Sequence, residues 1–348
     1  RLQQEFGVDG LALSLIRSYL SCRQQFVKLG NHTSSTCLID TGVPQGSVLG
    51  PILFTTYVSP VSDIFSKNGI FSHHYADDTH LHTSVTSDDL ESNLRVLSNC
   101  TSEVYRWYAN NFLLLNPNKS ETMVIGTHQQ LSRFQLKELD IAGSTLPISD
   151  AIKLLGVTFD RHLNFDKHIS EIVRSCNYHL SAIRHIRHMI TCDVAAALCR
   201  CLILSRLDYC NSLLYGASRA SIKKLQTIQN KHPRFSSSIL FPKLHWLPIS
   251  ARIIFKIAVL TFKTLLSKSP TYLYDLISRH EHTRSLRGSS TGFLNIPVVR
   301  SRLAGRGFRH AAPCVWNALP PELRQCSSLS LFKKGLKTHL FNTGSGRL

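Results

Sequence analysis

Two adjacent aspartates, Asp77 and Asp78, are the residues of this 348-residue sequence whose type and spacing best fit chemistry. They separate two short β-prone segments, 69–75 and 79–85, so the pattern predicts a hairpin with the acids at its tip. Adjacent carboxylates disfavour each other's ionisation unless a cation lies between them. Oxygen ligands suit Mg²⁺, and two such ions about 4 Å apart bind the attacking and leaving oxygens of a phosphoryl transfer. Asp-Asp is also good turn chemistry, so the pair alone leaves both interpretations open.

The elements around this hairpin are predicted from hydrophobic periodicity and turn residues. Short strands are expected at 25–29, 37–39, 113–115, 122–125, 134–139 and 154–159. Helices are expected at 11–20, 52–65, 87–110, 165–186, 193–214, 219–230, 250–267, 270–279 and 329–341. The chain therefore reads as an α+β part up to about residue 160, followed by a helical part.

Charge is distributed unequally between these two parts. Residues 1–165 contain 12 Lys and Arg against 15 Asp and Glu, which gives a net charge of −3. Residues 166–348 contain 28 against 7, a net charge of +21. Such a surplus repels itself unless a polyanion neutralises it, and nucleic acid is the partner that this composition favours. Basic side chains that simply solvate helices are the alternative interpretation.

Composition excludes several other classes of protein. At 43% hydrophobic residues the chain has enough apolar side chains to bury a core, which argues against wholesale disorder. Lys256 and Lys263 interrupt the most apolar stretch, 253–266, so no membrane span is expected. Ten cysteines are too few for a disulfide scaffold, and the first residues do not resemble a signal peptide. We therefore expect an intracellular protein that is not secreted and does not contact a membrane.

Four motifs in order favour the catalytic interpretation of the aspartates. Residues 75–78 (YADD) resemble the Y-x-D-D signature of reverse transcriptases. Residues 42–51 (GVPQGSVLGP) resemble the loop and helix that precede this signature, and 115–121 (LNPNKSE) resemble the lysine-bearing segment that follows it. Residues 153–157 (KLLGV) resemble the primer-grip hairpin. The resemblance is to polymerases of non-LTR (LINE-type) retrotransposons, and it extends to 244–248 (LHWLP) and 316–320 (WNALP).

The resemblance implies a role for each matching residue. Asp77 would be a metal ligand of a two-magnesium site and Asp78 its less critical neighbour, while Lys119 would be the general acid for pyrophosphate departure. The remaining positions would contact substrates: Gln45 and Gly46 the template and incoming nucleotide, Tyr75 the same substrate site, and Leu155 and Gly156 the primer end. A solvated loop lysine is the alternative for Lys119, and a buried strand pair is the alternative for Leu155 and Gly156.

One departure from the family pattern limits the expected activity. The family carries a further catalytic carboxylate on a strand about 50–70 residues before the 42–51 loop. Asp9 and Asp40 are the aspartates upstream of that loop, and neither matches this motif. Positioning and charge neutralisation supply most of the acceleration in phosphoryl transfer. We therefore expect the chain to be inactive alone.

The resemblance implies three regions and a function. Residues 1–160 would be a partial palm, a small antiparallel sheet with helices; 161–280 an all-helical basic thumb; and 281–348 a basic C-terminal extension. The function implied is that of a fragment of an RNA-directed DNA polymerase, with Mg²⁺ as cofactor and an RNA template, a DNA primer and a dNTP as partners. Its expected place is a nuclear or cytoplasmic ribonucleoprotein. The alternative is a non-catalytic remnant that binds nucleic acid through the thumb.

Overall fold

The chain packs as two compact units in the computed structural model, which describes residues 1–86, 88–116, 119–134, 136–231, 246–280 and 292–343. The first unit comprises Arg1–Thr122 and Gln129–Ser149, and the second comprises Met123–His128 and Asp150–Leu348. Residues 117–118, 244–245 and 281–291, which belong to the lysine segment, the LHWLP motif and the start of the C-terminal region, lie outside the described residues. No helix in the described ranges is long and apolar enough to span a membrane.

The helices of the first unit follow local sequence signals. Asp9 caps the first helix, because its Oδ1 accepts a hydrogen bond from the N–H of Gly10 at 2.7 Å. The single helix expected at 52–65 is interrupted at Ser59 and Pro60, where proline cannot continue the hydrogen-bond ladder. The helices are α1 Gly10–Leu20, α2 Gly50–Val58, α3 Val61–Lys67, α4 Leu90–Asn110 and the short α5 His128–Leu131.

The strands of the first unit pair antiparallel, two at a time. The one small sheet expected from the sequence is wrong in this respect, since each pair within the described residues forms its own two-stranded sheet. The strands are β1 Arg23–Gln25, β2 Lys28–Leu29, β3 His32–Thr33, β4 Cys37–Ile39, β5 Phe71–Tyr75, β6 Asp78–His82, β7 Glu138–Ile141 and β8 Ser144–Pro147. The pairs are β1 with β4, β2 with β3, β5 with β6, and β7 with β8. The mixture of helices and antiparallel strands confirms the α+β class.

The core of the first unit lies between α3 and α4. Val61, Phe65 and Ile70 from one side meet Cys100 and Val104 from the other, and all are at most 5% exposed. Burial of such side chains contributes about 1.5–3 kcal/mol each. This core is the surface on which the β5–β6 hairpin rests.

The second unit begins with a hairpin and continues with helices. Its strands are β9 Ala151–Leu154 and β10 Val157–Asp160, which pair antiparallel. Its helices are α6 Asp166–His185, α7 Cys192–Cys199, α8 Ser205–Asp208, α9 Arg219–Asn230, α10 Ile249–Ser267, α11 Thr271–Tyr274, α12 Phe308–Asn317, α13 Pro321–Arg324 and α14 Leu329–Asn342. A π-helical turn, Arg200–Leu204, joins α7 to α8 in place of one uninterrupted helix over 193–214.

One hydrophobic core runs through the second unit from β10 to α14. At its C-terminal end the rings of Phe262 and Phe332 stack with centroids 4.3 Å apart, and Trp316 lies 5.9 Å from Phe332. The described residues after 291 thus pack against α10. The boundary between the two compact units differs from the boundaries predicted between 1–160, 161–280 and 281–348. Those three regions stay predictions about function.

Candidate active site

The predicted hairpin is present, with the aspartates at its tip. Tyr75, the last residue of β5, pairs with Asp78, the first residue of β6, so that Ala76 and Asp77 form a two-residue turn. Ala76 has φ +54° and Asp77 does not share this left-handed value. This sequence of φ signs is that of a type II′ turn, which favours glycine at the first position. An alanine there costs about 1–2 kcal/mol.

The two faces of this hairpin have different environments. His74 and Thr79 are on the face that rests on the core, with His74 Nδ1 3.1 Å from Thr79 Oγ1 and the ring of His74 5.6 Å from that of Phe65. The opposite face carries Phe71, His73, Tyr75, Asp78, His80 and His82. Tyr75 is 66% exposed, so its ring is accessible beside the turn. One face of the hairpin thus packs on the core, and its turn is accessible to solvent.

The paired carboxylates are exposed, and no described residue forms an ion pair with them. Both Asp77 and Asp78 are exposed. Within the described residues the salt bridges join other side chains, namely Lys67 to Glu103, Arg161 to Asp150 and Arg252 to Asp208. Two adjacent acids that no described residue pairs with are the arrangement that an external cation relieves. Carboxylate oxygens of this kind suit Mg²⁺, which keeps several waters and takes one or two carboxylates.

The underside of the hairpin is an apolar environment. Burial, followed by the neighbouring His73 and His80, holds the pKa of His74 below its usual value. Burial likewise raises the pKa of Tyr108 on α4. The buried face of the hairpin therefore favours neutral side chains, and the carboxylates of Asp77 and Asp78 at the tip carry its charge.

The loop over 42–49 is fixed by a serine at its centre. Ser47 Oγ donates to the carbonyl of Pro44 at 2.7 Å and accepts from Tyr19 on α1 at 2.6 Å and from the N–H of Gly50 at 3.2 Å. The predicted residues Gln45 and Gly46 lie in this loop, exposed. Gly46 has φ +80°, and a Cβ there would meet nothing within 4 Å, so glycine is needed for the backbone conformation.

Ser47 and Tyr19 are not among the site residues predicted from the sequence. A serine three residues before the first residue of α2 is a helix-start signal that could have indicated Ser47. No sequence pattern indicates Tyr19, since the two residues are 28 positions apart.

Lys119 is exposed in the first unit. Its N–H donates to the carbonyl of Asn116 at 3.1 Å. Among the described residues its ammonium has neither a hydrogen bond nor an ion pair to Asp77 or Asp78. The role of general acid therefore stays a prediction.

Leu155 and Gly156 form the turn between β9 and β10 in the second unit. Their φ values are +46° and +83°, the two left-handed residues of a type I′ turn. Leu155 is 43% exposed and Gly156 is exposed, so they form an exposed tip and not a buried strand pair. The strand expected over 154–159 is thus wrong at its start, because the chain reverses at Gly156.

The exposed side of α6 is basic. Lys167, Arg174, Tyr178, Arg184 and His185 are all exposed along this 20-residue helix, which is about 30 Å long. The two acids of the helix are engaged elsewhere, because Asp166 accepts from Ser221 Oγ at 2.6 Å and Glu171 accepts from Thr158 Oγ1 at 2.5 Å. His168 of the same helix is 6% exposed and lies on its buried side.

Lys231, directly after the end of α9, extends this surface. Arg184 donates to the carbonyl of Lys231 at 3.2 Å, and Lys231 Nζ donates to Asn177 Oδ1 at 3.3 Å. We call Lys167, Arg174, Tyr178, Arg184 and Lys231 the basic surface. Repeated cations beside an aromatic ring are the side chains that contact the backbone of a nucleic acid.

The structure brings together some predicted site residues and leaves others apart. Tyr75, Asp77 and Asp78 lie on one hairpin, while Gln45, Gly46 and Lys119 lie on loops of the same unit. Leu155 and Gly156 belong to the second unit. In the described ranges no group of three or more His, Cys, Asp or Glu residues is placed to hold a metal ion.

Comparison with known proteins finds similarity to reverse transcriptases. Residues 2–159, which are 158 of the 348 residues, match the family model "Reverse transcriptase (RNA-dependent DNA polymerase)". The chain is 26% identical over 241 residues to a protein named "Probable RNA-directed DNA polymerase from transposon BS" of Drosophila melanogaster. The aligned region covers 63% of this chain and 25% of that protein. It is 25% identical over 225 residues to the "RNA-directed DNA polymerase from mobile element jockey" of Drosophila funebris. That alignment covers 62% of this chain and 24% of the relative.

A further relative extends over more of the chain. A "Probable RNA-directed DNA polymerase from transposon X-element" of Drosophila melanogaster is 24% identical over 279 residues, 77% of this chain and 29% of that protein. No solved structure matches. The chain spans about a quarter of the length of the curated relatives it matches. These matches confirm the resemblance to reverse transcriptases of non-LTR (LINE-type) retrotransposons.

Proposed function

We propose that this chain is a part of an RNA-directed DNA polymerase of a non-LTR retrotransposon, comprising part of the palm, the thumb and the C-terminal region. The observation that carries the proposal is the exposed pair Asp77 and Asp78, without ion-pair partners in the described chain, at the tip of a hairpin inside the matching segment. The activity proposed for the intact protein is nucleotidyl transfer onto a primer.

The side chains at the tip fit part of a magnesium site. Asp77 and Asp78 would supply oxygen ligands, with Asp77 the more important of the two. A bound Mg²⁺ neutralises phosphate charge and binds the oxygens that react. Tyr75 would contact the substrate beside the turn, Gln45 and Gly46 would line the template and nucleotide site, and Lys119 would donate a proton to pyrophosphate.

The proposed partners are an RNA template, a DNA primer and a dNTP. The basic surface supports duplex binding, because its cations would contact phosphates without reading bases. The tip formed by Leu155 and Gly156 would contact the primer end, which agrees with its exposure. We further propose that the parent protein acts in a nuclear or cytoplasmic ribonucleoprotein.

The chain by itself is proposed to be inactive. Two carboxylates are fewer than a two-metal site takes, and the described residues place no third metal-binding side chain with them. Loss of one ligand group costs orders of magnitude in rate, because electrostatic stabilisation supplies most of the acceleration. Primer extension with Mg²⁺, dNTPs and an RNA template should therefore stay at the level of the Asp77→Asn variant. Extension clearly above that level would contradict this part of the proposal.

A binding experiment separates the polymerase from the alternative, a non-catalytic nucleic-acid-binding remnant that uses the basic surface. Mg²⁺ binds through one or two carboxylates plus substrate phosphates. In the polymerase interpretation, millimolar Mg²⁺ should strengthen binding of the next matching dNTP to the chain–primer–template complex, and Asp77→Asn should remove this gain. Asp140→Asn, which changes an exposed aspartate on β7 of the same unit, is the matched control. A gain that Asp77→Asn leaves intact would favour the alternative.

A further inference from the structure

A tyrosine outside all the predicted site residues holds the β9–β10 turn. The hydroxyl of Tyr209 donates a hydrogen bond to the carbonyl of Leu155 at 2.5 Å. The ring of Tyr209 also covers Gly156, since a Cβ built on that glycine would lie 3.5 Å from Tyr209 Cε1. Tyr209 therefore contacts both residues of the turn, although it is 54 positions away from Leu155.

The backbone around Tyr209 is anchored to the second unit's core. Leu207 is 2% exposed and Asn211 is 4% exposed. Between them, Asp208 receives two hydrogen bonds of 2.7 Å from Nη1 of Arg252 on α10. Because its neighbours are fixed on both sides, the Tyr209 hydroxyl is presented from a rigid position.

The other support of the hairpin is at its strand and not at its tip. Val157 is 3% exposed, and Thr158 Oγ1 donates to Glu171 of α6 at 2.5 Å. The exposed turn residues extend beyond this packed strand. The position of the tip relative to α6 is thus set at the strand by packing and at the turn by the Tyr209 hydroxyl.

We propose that Tyr209 is a positioning residue that fixes the Leu155–Gly156 turn for contact with the terminal nucleotide of a primer. The inference rests on the proposed function for that contact, whereas the hold of Tyr209 on the turn follows from the geometry alone. Tyr209 is itself 51% exposed, so its ring borders the surface on which the nucleotide would lie. Leu155 contributes an exposed apolar side chain and Gly156 exposed backbone, and neither group reads a particular base.

The test compares Tyr209→Phe with wild-type protein in two measurements. Tyr209→Phe keeps the ring and removes the hydroxyl, and Tyr274→Phe, on α11, is the matched control. Hydrogen exchange of peptides covering 153–158 reports how firmly the turn is held. Photo-crosslinking of an RNA-template–DNA-primer duplex with 4-thiothymidine at the primer 3′ end reports whether the turn contacts the terminal nucleotide. Loss of one hydrogen bond predicts about five-fold faster exchange in the turn and a crosslink yield reduced about five-fold, with duplex affinity unchanged.

Each outcome decides a separate point. Unchanged exchange in Tyr209→Phe would overturn the claim that Tyr209 holds the turn. Faster exchange with an unchanged crosslink yield would overturn its role in positioning the turn for the primer. Absence of any crosslink between wild-type residues 153–158 and the primer end would contradict the proposed primer contact itself, whatever the variant does in the exchange experiment.

Discussion

The ion pair between Arg252 and Asp208 gives the sharpest stability prediction. Arg252 Nη1 lies 2.7 Å from both carboxylate oxygens, and the side chain of Arg252 is 12% exposed while that of Asp208 is 46% exposed. Removing one partner of a buried pair costs about 3–5 kcal/mol. Since Asp208 is half accessible to water, we expect Arg252→Met to lower the free energy of unfolding of the second unit by about 2 kcal/mol.

A neighbouring contact limits this loss. The Nε of Arg252 donates to the carbonyl of Leu247 at 2.8 Å, and the side-chain amide of Gln229 donates to the same carbonyl at 2.9 Å. The Leu247 carbonyl therefore keeps a hydrogen-bond donor when Arg252 is replaced. For a unit of roughly 200 residues, 2 kcal/mol corresponds to a fall in Tm of about 4–8 °C. Tryptophan fluorescence of a Trp107→Phe background follows this unit, because Trp246 and Trp316 are both buried in it while Trp107 lies on α4 of the first unit.

Two comparisons make the result decisive. Lys67→Met removes an exposed pair in the first unit, whose atoms are 3.8 Å apart, and should change stability by less than about 0.5 kcal/mol. In a double-mutant cycle, Arg252→Met and Asp208→Asn should show a coupling of about 1–2 kcal/mol, because each removes the same interaction. A loss below about 0.5 kcal/mol for Arg252→Met, or additive effects in the cycle, would refute the reasoning.

Three further predictions address the hairpin and the basic surface. Ala76→Gly should raise the free energy of unfolding of the first unit by about 0.5 kcal/mol in denaturant titrations. Glycine relieves about 1–2 kcal/mol of strain at φ +54°, and its greater loss of chain entropy on folding offsets roughly 0.5–1 kcal/mol of that gain; destabilisation would contradict the turn geometry. The first unit should lose stability as pH falls from 7 to 5, because burial holds the pKa of His74 below 6.5 in the folded state. The stability that the neutral ring contributes is fully present above pH 6.5 and declines as pH drops below that value. His74→Gln should reduce this pH dependence of amide exchange in α4, and an unchanged profile would count against it. Arg174→Gln should weaken the salt dependence of duplex binding, so that the negative slope of log K against log salt becomes smaller in magnitude by about 0.9. A slope equal to that of wild type would show that Arg174 does not contact phosphate.

Much of the helical structure could be predicted from the sequence, because hydrophobic periodicity is a local property. The helices α1, α6, α9, α10 and α14 lie within a residue or two of the expected ranges. Prediction was wrong where tertiary packing decided the outcome. Helix α12 was missed because it contains Pro313, which local rules place outside helices, yet Ala312 and Trp316 are buried against α10.

The site was predictable to the extent that it is local. Tyr75, Asp77 and Asp78 are neighbours in sequence, so a hairpin prediction suffices to place them together. The contacts that hold the loops are of another kind: Tyr19 with Ser47 and Tyr209 with Leu155 join residues 28 and 54 positions apart. Only the three-dimensional fold brings such pairs together, and no periodicity in the sequence encodes them.

We propose that Asp77 and Asp78 bind a divalent cation at the tip of the β5–β6 hairpin. Fe²⁺ in place of Mg²⁺, with ascorbate and peroxide, cleaves backbone close to the bound ion and so locates it. We predict cleavage within residues 74–80 that excess Mg²⁺ suppresses, that Asp77→Asn abolishes and that Asp140→Asn leaves intact. Cleavage spread over the chain, or cleavage at the hairpin that persists in Asp77→Asn, would contradict the account.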